Sequence, residues 1–240
     1  MIFNRNQLKL FMLVLMVFDH ISPFVSVETA AVLHVLTRCV GAFFAYMSVE
    51  GLFYTRNQEK YLVRLWLAGV GMLLGNQVLN TFVFAPEYAV HNNIFLTLAL
   101  GTTILYVIQR WQKTHGLGRL LCSACIVGLI IVSPMTEGGM ILVPFMLISY
   151  FGRNNIWLRN SCWIVFAILL FFMSYVDYGD WQTTLNMLAM NSDFFFISVL
   201  PFLALYNGER RSNHPFFKYF FYVFYPVHLY LIALLATLMM

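Results

Sequence analysis

An all-α, polytopic bundle of membrane-spanning helices is predicted by three features of this 240-residue chain. Its residues are 61% hydrophobic and 10% charged, with a mean hydropathy of +0.77; soluble domains run at about 45–50% and 25%. Apolar runs reach helix length and lack the polar–apolar alternation of a barrel strand. The basic residues cluster between the runs. An ordinary soluble domain is excluded. The net charge of +4 follows the membrane pattern rather than forming a patch, so nucleic acid is not an expected partner.

About nine segments reach or approach the length needed to cross a hydrocarbon core of ~30 Å. They are residues 8–27, 29–54, 61–84, 93–109, 119–134, 139–151, 160–178, 193–207 and 217–238. The sixth and eighth are short, which suits a tilted, broken or re-entrant segment. The Leu8–Val27 run lacks a small-x-small cleavage site and carries Asp19-His20, so it is read as a retained helix rather than a cleaved leader. No linker, low-complexity tract or repeat divides the chain, and 1–240 is read as one transmembrane domain.

The cations orient it. Arg5 and Lys9 open the first span. Arg56, Lys60 and Arg64, then Arg110, Lys113 and Arg119, then Arg153 and Arg159, then Arg210, Arg211 and Lys218 occupy every second connection. The intervening connections carry Glu28, Glu87, Glu137, Asp177 and Asp180 without a Lys or Arg. The positive-inside rule then places the N-terminus in the cytoplasm. Of the 14 basic residues, only Arg38 lies in no connection.

Arg38 and the Asp19-His20 pair are therefore the chemical anomalies. An ionisable residue inside a span costs at least about 2.5–3.5 kcal/mol and marks a functional site by default. Arg38 sits about nine residues into its run, a depth similar to that of Asp19 at ~1.5 Å per residue. Ser26-Val27-Glu28 is short enough to make the first two helices antiparallel neighbours. Asp19 is then expected to pair with Arg38 or another buried group. His20 points ~100° away around the helix, free for a cavity. A bland alternative is an ion pair that only locks two helices; a buried pair is a poor source of stability, however. The adjacent histidine adds a group that titrates near neutrality and serves as a general base.

Gly41, Ala45 and Ser48 form a small-residue stripe, best read as packing. At the cytoplasmic end, Glu50, Tyr54, Arg56, Lys60 and Arg64 make a basic, aromatic mouth suited to a phosphorylated ligand. Asn92 and Asn93 open the fourth span, and Tyr225 and His228 lie in the last; these are candidate substrate or supporting residues. Cys122-Ser-Ala-Cys125 lacks a second ligand pair and is read as packing, so no metal is expected.

These motifs resemble the TraX family of conjugative-pilin acetylation proteins, within the wider group of transmembrane acyltransferases. The resemblance rests on Leu15-Met16-Val17-Phe18-Asp19-His20-Ile21, on Arg38-x-x-Gly41 with Phe43-Phe44-Ala45-Tyr46 and Val49-Glu50-Gly51, and on Tyr54-Thr55-Arg56-Asn57 through Tyr61-x-x-Arg64. Asn92-Asn93-Ile94-Phe95 and the closing Tyr225-Pro226-x-His228 continue it. Thr136-Glu137-Gly138-Gly139 departs from the aspartate–aromatic–glycine element expected there. The resemblance implies a bacterial inner-membrane acetyltransferase that uses acetyl-CoA, with His20 as catalytic histidine. The activity it implies is acetylation of a pilin N-terminal amine at the outer face; another exported peptide amine or a glycan hydroxyl would fit the same chemistry. Asp19 would position His20, Arg38 would orient Asp19 or stabilise an oxyanion, and Arg56, Lys60 and Arg64 would bind CoA phosphates. Two other classes compete: a proton-coupled transporter, which buried ionisable groups also describe, and a non-catalytic assembly protein.

Overall fold

A computed structural model describes residues 2–208 and 215–239. Arg210, Arg211 and the Lys218 side chain, read above as connection cations, lie outside the described residues. The helices are α1 (Arg5–His20), α2 (Val27–Thr37), α3 (Cys39–Tyr54), α4 (Gln58–Phe82), α5 (Ile94–Trp111), α6 (Gly116–Val132), α7 (Gly139–Phe151), α8 (Ile156–Ser174), α9 (Trp181–Met190), α10 (Val199–Leu205) and α11 (Pro215–Leu238). Among the described residues the only β element is an isolated bridge between Phe3 and Tyr206.

Among the described residues, six helical stretches are long and apolar enough to cross a membrane: Val27–Tyr54, Gln58–Phe82, Ile94–Trp111, Gly116–Met135, Ile156–Ser174 and Tyr219–Leu238. A seventh is obtained if Trp181–Met190 and Ser192–Leu205, bent by 62°, count as one broken span. The number is below the nine expected, for local reasons. Helix α1 has 16 residues, ~24 Å at the usual rise. Helix α7 has 13. The ninth sequence segment, by contrast, matches Tyr219–Leu238 closely.

The chain divides into two compact units: Met1–Phe43 with Val78–Val90 and Asn160–Met240, and Phe44–Gln77 with His91–Arg159. In the first, Asn4 caps α1 by accepting from the Asn6 and Gln7 N–H groups at 3.0 and 3.1 Å, while the Gln7 side chain accepts from the Asn4 N–H. Leu8, Met12 and Met16 recur at helical spacing and are buried, whereas Phe11, Val14 and Phe18 on other faces are exposed. Exposed apolar faces of this kind suit hydrocarbon rather than water. Helix α1 packs on α2 and α11, and α2 also packs on α9.

Two features were not anticipated. The first apolar run does not continue to Val27 as helix: α1 stops at His20, and a 3-10 turn with Pro23 follows. Asp19-His20 therefore lies at a helix C-terminus, not within a continuous span. Second, α9 occupies a stretch read as connection. Asp180 caps it, accepting from the Thr183 N–H at 2.8 Å and the Thr183 hydroxyl at 2.9 Å, and these donors hold its carboxyl below the usual range.

In the second unit α5 is the most enclosed span and packs on α6 and α7. Its N-terminal end is tied by side chains. Asn93 caps it and donates to the Gly69 carbonyl at 2.8 Å, Asn92 donates to Glu137 at 2.9 Å, and the Thr97 hydroxyl donates to the Glu137 carbonyl at 2.6 Å. Gly138 has φ +63, and a Cβ on Gly139 would collide with the Ser133 carbonyl and the Thr136 hydroxyl. Gly139→Ala is accordingly expected to lower stability by about 1–3 kcal/mol, the cost of overpacking, read as thermal unfolding in detergent. An unchanged midpoint would remove the close approach as a requirement.

Candidate functional site

The first unit gathers the two sequence anomalies. Helix α1 delivers Asp19 and His20 at its C-terminal end; α2 ends at Arg38, whose N–H turns to the Val35 carbonyl at 3.4 Å. Arg38 Nη2 lies 2.9 Å from both Asp19 oxygens. The Thr37 hydroxyl donates to Asp19 Oδ1 at 2.6 Å. A carboxylate at a helix C-terminus meets an unfavourable dipole, so these donors offset a real cost. Both side chains of the pair are about four-fifths buried, at 20% and 19% exposure.

Arg38 reaches further. Its Nε donates to the His34 carbonyl at 3.0 Å, and its Nη1 lies 3.4 Å from Asp193. His34 Nδ1 stands 3.2 Å from Arg38 Nη2 and 3.4 Å from Asp19 Oδ1. Arginine only donates and a carboxylate only accepts, so that nitrogen serves one of them at a time. The guanidinium is thus largely committed, with spare donor capacity on Nη1.

His34, Thr37 and Asp193 were missed by the sequence reading. A signal existed for the first two: His34, Thr37 and Arg38 stand at i, i+3 and i+4, one helix face. Asp193 gave none, because it enters from the 3-10 segment Ser192–Ser198. The described hydrogen-bond and ion-pair partners of Asp19 are His34 and Thr37 on α2 and Arg38 at its C-cap, and none of these bonds reaches His20.

His20 instead meets the last helix. Its ring centroid is 5.5 Å from that of His228, at 52° between planes. His228 is buried in α11, where its Nδ1 lies 2.9 Å from the Phe224 carbonyl oxygen. Phe224 stacks on its ring at 5.2 Å and 19°, and buried Tyr225 flanks it at 5.7 Å. Pro226, inside this helix, removes one backbone donor in the same turn. Beside the histidines, Leu10, Leu13, Val14, Val17, Phe18, Phe220 and Phe224 line an apolar groove of about 360 Å³.

The remaining candidates lie in the second unit. Arg56, Lys60 and Tyr54 are exposed; Arg64 is half-buried, with its guanidinium 5.8 Å from the Tyr61 ring centroid. Glu50 lies 3.3 Å from Arg153, whose guanidinium stacks over Phe53 at 4.1 Å and Tyr54 at 5.5 Å. Arg159 is buried and donates to the Tyr46 hydroxyl at 3.3 Å. Sequence placed Arg153 and Arg159 only as connection charges. Asn92 and Asn93 are engaged in the structural bonds described above.

Residues 4–236 match the family described as TraX protein, nearly the whole chain. The chain belongs to the TraX family. No curated protein and no solved structure matches it. The TraX match includes both elements that carry the Asp19–Arg38 pair and the helix that carries His228.

Proposed function

We propose that this TraX-family protein is a membrane-embedded acetyltransferase. It moves the acetyl group of cytoplasmic acetyl-CoA to an amine or hydroxyl of an exported acceptor: a pilin or other peptide N-terminus, or a glycan. Pilin-amine acetylation is the activity the family resemblance implies. In this reading the chain is a single domain of the bacterial inner membrane with its N-terminus inside, and up to nine segments enter the bilayer. The reading draws its main support from one arrangement: Arg38 and Thr37 occupy Asp19, while His20 carries no hydrogen bond among the described residues.

The roles follow. His20 takes the acceptor's proton or carries the acetyl group briefly. Asp19 and Arg38 fix the end of α1 against α2 and so position His20. Arg56, Lys60 and Arg64 bind CoA phosphates, with Tyr54 beside them and Glu50 steadying Arg153. Tyr225 flanks His228, and Asn92 and Asn93 hold the start of α5 within their own unit.

Purified protein in detergent, given radiolabelled acetyl-CoA and a peptide with a free N-terminal amine, is expected to release CoA and label the peptide. Folded protein that binds no acetyl-CoA would remove the enzyme reading. A proton-coupled transporter would then gain weight, because the 62° bend between Trp181–Met190 and Ser192–Leu205 resembles a broken transporter helix.

A further inference from the structure

Among the described residues, His228 carries a polar atom with nothing to bond. Its side chain is 6% exposed, and its Nε2 has no hydrogen-bond partner among the described residues. Buried polar atoms are normally satisfied, and an orphan calls for a reason such as catalysis. The other ring nitrogen explains the state of this one. A carbonyl oxygen can only accept, so Nδ1, 2.9 Å from the Phe224 oxygen, carries the ring proton. In the neutral imidazole Nε2 is then a bare lone pair: an acceptor and a base.

The surroundings hold the ring. Phe224 stacks on one face and Tyr225 flanks it. An imidazolium gains from aromatic faces, and its Nδ1–H bond to a carbonyl strengthens when the ring is charged. The neighbour able to supply a proton is His20, half-buried and 5.5 Å away centroid to centroid. Among the described residues, His20 has no orienting bond of the kind a histidine base normally has. The two rings divide the requirements: His20 is the less buried of the two, and His228 is locked with a bare lone pair on Nε2.

Resting on the acetyltransferase reading, we propose that His228 is the second station of a proton relay that acts through His20. As the acceptor attacks the thioester carbonyl of acetyl-CoA, its proton passes to one ring nitrogen of His20. His20 gives the proton on its other nitrogen to Nε2 of His228. The new carbon–nitrogen or carbon–oxygen bond forms, and the carbon–sulfur bond breaks with its electron pair on sulfur. Both shifts then reverse, so the departing thiolate gains a proton and both imidazoles return neutral. His228 is a positioning residue in this scheme, since it never touches the substrate.

His228→Asn keeps a donor near the Phe224 carbonyl but removes Nε2. It is expected to fold, to leave KM unchanged and to lower kcat by about 10²-fold or more. The rate of the wild type in mixed light and heavy water should curve, as two protons in flight require, and the variant's should not. Nitrogen NMR of histidine-labelled wild type should show a protonated Nδ1 and an unprotonated Nε2 for His228, whether or not the variant folds. A protonated Nε2, a one-proton rate dependence in the wild type, or full kcat in His228→Asn would overturn the relay while the acetyltransferase stands. A wild type that transfers no acetyl group sinks both.

Discussion

Arg38→Ala is expected to destabilise the protein by about 3–5 kcal/mol, the cost of leaving a buried charge without its partner. Asp19 would keep the Thr37 hydroxyl and His34, but lose both 2.9 Å contacts to Nη2 at the end of a helix whose dipole already disfavours an anion. Asp19→Ala should cost less, because Arg38 retains the His34 carbonyl and Asp193. The Asp193 contact adds little by itself: its side chain is 50% exposed, where ion pairs are worth about 1 kcal/mol at most. Arg38→Lys should recover only part of the loss, since an ammonium cannot reach Asp19, Asp193 and the His34 carbonyl from one planar group. Thermal unfolding in detergent of the two single alanine variants and their double supplies the coupling energy. A double variant no more stable than the sum of the singles predicts would show that the pair does not act as a unit.

The fold class was legible because hydrocarbon length is written directly in composition: the segments at 61–84, 93–109 and 119–134 match α4, α5 and α6 closely. What escaped was short-range punctuation. Pro23 ends the first helix early, yet Ile21 to Val27 is apolar enough to hide the stop within a longer run. Asp180 starts α9, but a capping aspartate before ten residues with little charge reads equally well as an exposed connection. The site followed the same division. Asp19 and Arg38 announce themselves by their cost in a hydrophobic run. His34 and Thr37 are cheaper residues, visible only once Arg38 fixes which face of α2 matters. Asp193 arrives by tertiary packing across 155 positions, beyond any pattern of spacing. The meeting of His20 with His228 likewise depends on α1 packing against α11.

His20→Ala separates chemistry from stability where Arg38→Ala cannot. No hydrogen bond reaches the His20 side chain among the described residues, so its removal orphans no protein donor or acceptor. Unfolding should shift little, while acetyl transfer should fall by about 10²–10⁴-fold if His20 acts only as a base. A larger loss, with radiolabel retained on acid-quenched wild type in the absence of acceptor and missing from the variant, would identify it as the acetyl carrier. His20→Gln refines the choice. Glutamine offers a hydrogen-bond acceptor but cannot take up and release a proton near neutrality, so it should be as inactive as alanine in either role. Were His20→Gln to keep most of the activity, proton transfer would have to lie elsewhere, and the buried lone pair of His228 would be a base within the same helix pair. Full transfer by His20→Ala with unchanged CoA release would instead show the Asp19–Arg38 pair to be a helix lock beside an idle imidazole. The stability loss of Arg38→Ala would then be its whole meaning.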